Sequence, residues 1–362
     1  MSKRKNRQAN RYRNYTINLL RMLQSKRMLV PLTISYCITT NCNLNCRYCE
    51  DFGARRNPEQ HAPLSLDGAC RLLSLLRTAT DSLTFTGGEP LLYPEIDALV
   101  RYAKHTAGFR ELTMITNGLL LSQHQEILGT LDRLIVSLDS VNPELWDPII
   151  RVGPGAAQHI LETVVAVAKQ QEQQKFHMVA HCVITPETLS QARDVLDFCV
   201  GHNIAFSFSP QSVNNWPHYD LLTSDAYRDF VAYVIQYKRR KAPILGSMAY
   251  LRLMFNFEPY ACHPLLAPRV MPEGSLSYPC RPVERSGDTH GGRINLLEAG
   301  SWQAALAQAH MGYGDPPMTC SSCYQQCYVE PSLMQAHPQA LLKEWLIYPT
   351  SRAAHILTYV PG

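Results

Sequence analysis

Three thiols fall in one short run, Cys42-Asn-Leu-Asn-Cys46-Arg-Tyr-Cys49. Thiolates this close repel one another unless a metal neutralises them, and the thiolate is the metal-binding form. A structural zinc site wants four ligands, usually as two pairs; the local count here is three. On a cubane iron-sulfur cluster, three thiolates leave one iron without a protein ligand. An open iron is what a catalyst needs if a small molecule is to chelate the metal, so the odd number is the informative feature.

Some forty residues further on comes Thr86-Gly87-Gly88-Glu89-Pro90. Glycines let the backbone approach a ligand with no Cβ in the way, and a carboxylate beside them can accept charge-assisted hydrogen bonds from an ammonium group. Alone, such a run is more often an ordinary turn. Together the two runs resemble the radical S-adenosylmethionine superfamily, whose signature is Cys-x3-Cys-x-aromatic-Cys after the first barrel strand, followed by Gly-Gly-Glu-Pro. Cys42, Cys46, Tyr48 and Cys49 match that signature at every position.

The resemblance implies a catalytic [4Fe-4S] cluster on Cys42, Cys46 and Cys49, with the open iron holding the amino and carboxylate groups of S-adenosyl-L-methionine. Reduction, by a flavodoxin- or ferredoxin-type partner, splits the carbon-sulfur bond, and the 5'-deoxyadenosyl radical takes a hydrogen atom from substrate. It further implies that Tyr48, Gly87, Gly88 and Glu89 bind the cofactor, with Glu89 suited to its amino group. Asn117 and Ser137 are polar groups where two strands end, and Arg151 matches an arginine often found at this point; all three are expected at the cofactor. Asn and Ser also cap helices and turns routinely.

Five more thiols stand near the C-terminus: Cys262, Cys280, Cys320, Cys323 and Cys327. A Cys-x2-Cys pair plus two further thiols makes a closed four-thiolate site for zinc or for [4Fe-4S]. The spacing resembles the SPASM/Twitch extension of the same superfamily, most of all its short Twitch form, which implies one auxiliary [4Fe-4S] cluster. Cys327 is a fifth thiol beyond that count. Cys37, Cys70, Cys182 and Cys199 sit in strand or helix patterns and read as packing residues.

These side chains need a scaffold. Short β-branched or aromatic runs at 32–37, 83–86, 112–116, 134–138, 177–184 and 204–209 alternate with helical spacing at 66–76, 96–103, 160–168 and 188–200. Six βα units imply an α/β fold with a parallel sheet and a ligand site at the carboxyl ends of the strands. The resemblance implies a partial (β/α)6 TIM-like barrel with a small C-terminal cysteine-rich SPASM/Twitch-like module. The expected division is a basic N-terminal arm or helix at 1–30, the core barrel at 31–242, the cluster module at 243–331 and a helical tail at 332–362, amphipathic through Leu341, Leu342, Trp345, Leu346 and Ile347.

With 46% hydrophobic and 18% charged residues, the 362-residue chain can bury a core. Its net charge of +4 comes largely from the basic start, which reads as a solvated arm, with a peripheral membrane-surface contact left open. Nucleic acid is not expected. No signal peptide or membrane span is apparent, so a cytoplasmic protein is expected, where twelve cysteines ask for metal rather than disulfides. The functional expectation is hydrogen-atom abstraction from a small molecule or peptide in a biosynthetic or maturation pathway. The alternatives are a zinc-stabilised binding protein and an iron-sulfur electron carrier without turnover.

Overall fold

The computed structural model describes residues 2–52, 62–317, 323–339, 344 and 347. Six strands run parallel and in chain order: β1 (Ile34–Thr39), β2 (Ser82–Gly87), β3 (Glu111–Thr116), β4 (Arg133–Ser137), β5 (His177–Ile184) and β6 (Ala205–Pro210). Each is buried over most of its length, as strands covered on both faces should be. The intervening helices follow the apolar spacing. In Leu66–Arg77 the Ser65 side chain accepts from the Gly68 amide, and Leu72, Leu73 and Leu76 turn inward; burial of each contributes about 2 kcal/mol. The 96–103 helix ends earlier than its spacing suggests, passing at Tyr102 into a π-turn that closes on left-handed Gly108.

This is the partial barrel that the sequence leads one to expect. The cysteine-rich segment does not stand apart from it. After a small hairpin, β7 (Ser212–Val213) with β8 (Trp216–Pro217), three further strands continue the main sheet: β9 (Arg269–Val270), β10 (Ser275–Tyr278) and β11 (Gly292–Asn295). The sheet order is β11-β10-β9-β1-β2-β3-β4-β5-β6. β9 pairs parallel with β1, Ser35 opposite Arg269 and Tyr36 opposite Val270.

Inside the barrel, Ile135, Val179, Ala205 and Leu245 form an apolar floor. One step toward the carboxyl ends, Ser137, His181 and Ser207 lie side by side in register. The change from apolar to polar marks where the barrel stops being core.

The basic start is a helix, Ser2–Leu23. Its second half docks on the body: Tyr15 Oη donates to the Met334 carbonyl at 2.6 Å, and Asn18 exchanges two hydrogen bonds with Val30. Leu19 and Met22 pack inward while Leu20 and Leu23 stay exposed, so only part of its apolar face is left for another surface. Among the described residues no helix is long and apolar enough to cross a membrane. In the tail, Leu341, Leu342, Trp345 and Leu346 lie outside the described residues. Beyond residue 339, the charged Glu344 is buried and paired with Lys238 at 2.8 Å, whereas Ile347 is exposed.

Candidate functional site

The cysteine loop leaves the carboxyl end of β1 and is held mostly through its backbone. The Asn45 and Arg47 amides donate to the carbonyls of Ile150 and Ile149, at 2.9 and 3.1 Å; these are carbonyls at the end of the helix Pro143–Ile150, where acceptors lack intrahelical partners. The loop's sulfurs accept in turn: the Leu44 amide donates to Cys42 Sγ and the Phe52 amide to Cys49 Sγ. Cys42, Cys46 and Cys49 are half-buried and all three line one cavity of about 180 Å3.

Cys42 and Cys46 are not expected to be thiolates there without a cation. Burial, with lesser contributions from Glu89 and Cys49, pushes the Cys42 thiol up to about 11. Burial, Asp139 and the two other thiols push Cys46 higher still. Among the described residues no three Cys, His, Asp or Glu side chains converge as ligands of a single ion. The three thiols instead ring a space, which suits a group as large as a cluster with an uncovered corner.

Gly87 and Gly88 line the same cavity, and their glycine character has a local cause. A Cβ on Gly88 would lie 2.1 Å from the Asn41 carbonyl oxygen, and one on Gly87, at φ +142°, 2.4 Å from that of Thr39. The Gly88 amide donates to the Thr39 carbonyl at 2.9 Å and the Glu89 amide to that of Asn41 at 2.8 Å. The glycines thus seat β2 against the root of the cysteine loop.

Glu89 is held by the protein's own donors. It is fully buried, and both oxygens are used internally: Oε1 accepts from Leu91 N at 3.0 Å and Thr116 Oγ1 at 2.8 Å, Oε2 from Asn117 N at 2.8 Å. Burial pushes the carboxyl up to about 7 against the pull of these donors. It braces the ends of β2 and β3, and Gly87 and Gly88 line the cavity beside it.

Asn117 and Ser137 do line the cavity. Asn117 donates through Nδ2 to Asn43 at 2.7 Å and lies 3.8 Å from Cys42 Sγ. Tyr48 also lines it and donates to Asp139 Oδ2. Burial raises the Asp139 carboxyl to about 6, opposed by hydrogen bonds from Tyr48 and the Val183 amide. Arg151 is exposed, in the left-handed position that ends the helix Pro143–Ile150, outside the residues that line the cavity. Asp139 is a site group not singled out above; its signal was its place at the end of the fourth strand run.

Against this cavity lies a larger one of about 330 Å3. Tyr48, Cys49, Thr86 and Gly87 line both. Its walls include His181, Ser207 and Ser209 from the barrel, Glu50 and Asp51 from the cysteine loop, and Arg269, Arg285 and Cys327 from the C-terminal segment. His181 Nδ1 is 2.8 Å from Ser207 Oγ, and burial pulls the imidazole down to about 4, leaving it neutral near pH 7.

The second thiol set is differently placed. Cys262, Cys280 and Cys323 are buried, and Cys320 lies outside the described residues. Tyr260 Oη donates to the Cys323 carbonyl. Burial first, and then Cys280, raise the Tyr328 hydroxyl, with Cys327 and Cys323 also within electrostatic reach. Cys280 is the N-cap of the short helix Arg281–Ser286. Cys327 differs in being half-buried and facing the larger cavity.

Residues 36–199 match the family model described as Radical SAM superfamily. The chain is 34% identical over 130 residues to a GTP 3',8-cyclase of Peptoclostridium acidaminophilum, covering 35% of this chain and 39% of that protein. It is 38% identical over 117 residues to that of Chlorobaculum tepidum, covering 32% and 34%. The chain thus spans well under half the length of these relatives. In fold it is similar to Streptococcus suis SuiB bound to S-adenosylmethionine, with TM-score 0.61 and 21% identity over 81% of this chain and 69% of that one. It is also similar to anSMEcpe with bound AdoMet, with TM-score 0.61 and 14% identity over 91% and 98%.

Proposed function

We propose, from the premise that this chain belongs to the radical S-adenosylmethionine superfamily of enzymes, that it abstracts a hydrogen atom from a small molecule or peptide side chain held in the 330 Å3 cavity. Membership brings the superfamily's cofactors, a [4Fe-4S] cluster and S-adenosyl-L-methionine. The observation that carries the reading is that Cys42, Cys46 and Cys49 line one cavity with Gly87, Gly88, Asn117 and Ser137, directly against a second cavity inside the barrel. Held by Cys42, Cys46 and Cys49, a reduced cluster would supply one electron for cleavage of the carbon-sulfur bond of S-adenosyl-L-methionine, with methionine as the leaving group.

The chain's own residues bind and orient. Cys42, Cys46 and Cys49 would hold the cluster, with the amides of Leu44 and Phe52 stabilising sulfur charge. The carbonyls of Gly87 and Gly88 would take the methionine ammonium, and Asn117 and Ser137 the polar remainder of the cofactor. Tyr48 is fixed by Asp139 and forms part of the wall between cofactor and substrate. Cys262, Cys280, Cys320 and Cys323 would hold an auxiliary cluster, with Cys327 facing the substrate.

A cavity of 330 Å3 is at the small end for ligand sites, so it suits a compact substrate or one peptide side chain. The two curated relatives are named for an activity on GTP, and a second SuiB structure holds its precursor peptide SuiA; both substrate classes therefore stay in the proposal. The reductant is proposed to be of flavodoxin or ferredoxin type.

Anaerobic reconstitution with iron and sulfide, iron counting and an assay for 5'-deoxyadenosine under dithionite test the reading. About eight irons per chain with slow cleavage is the expected result. Colourless protein holding zinc would favour the binding-protein alternative, and brown protein without cleavage the electron carrier.

A further inference from the structure

We propose that Asp51 is a positioning residue through which the C-terminal cysteine-rich segment holds the catalytic cysteine loop in its binding geometry. The role of the loop rests on the function proposed above; the clamp itself stands on the geometry that follows.

The two halves of the loop are held by different parts of the molecule. Up to Tyr48 its partners are in the barrel: the carbonyls of Ile149 and Ile150, the Asn117 amide group and Asp139. Immediately after Cys49 the partners change. Asp51 Oδ2 is 3.1 Å from Arg269 Nη1, and Asp51 Oδ1 is 3.4 Å from Arg281 Nε and 3.0 Å from Arg285 Nη1. Glu50 Oε2 lies 2.7 Å from Arg285 Nη2. Three guanidiniums from one distant stretch of chain therefore converge on one carboxylate two residues past Cys49. The arginine side chains are between 12% and 22% exposed and Asp51 is 17% exposed, so these pairs are screened far less than surface pairs.

The row is not arranged as an anion site for substrate. Asp51 and Glu50 already face Arg285, and Glu284 faces both Arg281 and Arg293. What the arginines share is their attachment. Arg269 is on β9, which pairs with β1. Arg281 and Arg285 are on a six-residue helix whose N-cap is Cys280. A helix that short has little stability of its own, so its position follows from its anchors: Cys280 at its N-cap, Asn215, whose Nδ2 donates to the Pro282 carbonyl at 3.0 Å, and Arg293, which pairs with Glu284 at 2.8 Å. The mechanical sequence is Cys280, then Arg281 and Arg285, then Asp51, then Cys49. Order at the second thiol set is thereby passed to the first.

The test uses the full chain, anaerobically reconstituted, as Asp51→Asn, Asp51→Glu, Cys280→Ser and the Cys280→Ser/Asp51→Asn double variant. Two quantities are read: amide hydrogen exchange over residues 42–52, and S-adenosyl-L-methionine affinity from the change it causes in the cluster's EPR spectrum. Asp51→Asn should speed exchange and weaken affinity by about tenfold each, with the iron count unchanged, and Asp51→Glu should recover most of both. Cys280→Ser should speed exchange over the same residues, and the double variant should be little worse than either single one. Unchanged exchange in Asp51→Asn, or effects that simply multiply in the double variant, would overturn the clamp. Should Asp51→Asn fail to fold, Arg285→Gln removes one partner only, and a 42–52 exchange rate equal to the parent's would again overturn it. Hydrogen exchange needs no turnover, so a chain that never cleaves S-adenosyl-L-methionine would sink the catalytic reading separately.

Discussion

The two sets of thiols have the same chemistry and opposite surroundings. Cys42, Cys46 and Cys49 come from one loop, are half-buried, and face a cavity. Cys262, Cys280 and Cys323 are gathered from separate stretches and are buried in the core. A set assembled from one loop and left open on one side can exchange a ligand. A set assembled by the fold and enclosed by it can only tie elements together or pass an electron. On the function proposed above, access, more than ligand type, is what would separate a reacting centre from a structural or electron-transfer one.

The sharpest way to break this contrast is to remove one thiol from each set. Cys46→Ala should lower 5'-deoxyadenosine formation by about three orders of magnitude or more while leaving about four irons bound. Cleavage surviving in that variant would mean the open set is not the reacting one. Cys323→Ala should lose about four irons and keep measurable uncoupled cleavage, with a clear drop in melting temperature because the thiol is core.

Glu89→Ala sharpens the open region, since it leaves three buried donors without their acceptor. A loss of about 3 kcal/mol of stability is expected, present in cofactor-free protein as well. Unaltered melting without cofactor, combined with weaker S-adenosyl-L-methionine binding, would show that the carboxylate reaches the ligand after all.

The enclosed region has its own titration. Glu330, on the helix Gln326–Ala336, is pushed from its ordinary 4.5 to about 7 by burial, against the pull of Ser247 and Lys238. The folded state then binds this proton more tightly than the unfolded state, so the contribution is full below pH 4.5 and is lost as pH rises through 7. The shift corresponds to about 3 kcal/mol. Denaturant curves across that window should fall less steeply with pH in Glu330→Gln than in the parent; identical slopes would remove Glu330 from the account. Least affected should be Arg151→Ala, with S-adenosyl-L-methionine affinity within about twofold of the parent, because the side chain points to solvent. A tenfold loss would return Arg151 to the site.

The six barrel strands fell where β-branched and aromatic runs lay, because strands buried on both faces must be apolar nearly throughout. The cysteine loop and the Gly-Gly turn were readable because their constraint is local: close sulfurs, and a backbone approach that no Cβ permits. Glu89's direction was not readable, since its donors arrive with Thr116 and Asn117 on the next strand. The clamp on Asp51 was hidden for the same reason, its arginines lying more than two hundred residues downstream. Arg151's place at a left-handed helix end was not legible either, because matching a position in a pattern says nothing about which way such an end turns its side chain. His181 and Ser207 left only small polar interruptions in apolar strands, which are common where no ligand is bound.

The pairing of β9 with β1 has a consequence for how the chain is made. β1 is synthesised first of the barrel strands, yet one of its two edges has no partner until Arg269 and Val270 emerge, ~230 residues later. At cellular elongation rates that is on the order of 10–50 s, during which an apolar strand edge can pair with the wrong chain. Conditions that stall translation between β6 and β9 should therefore be hard on this protein, and a chaperone that covers exposed strands during synthesis should raise its yield more than one that acts after release.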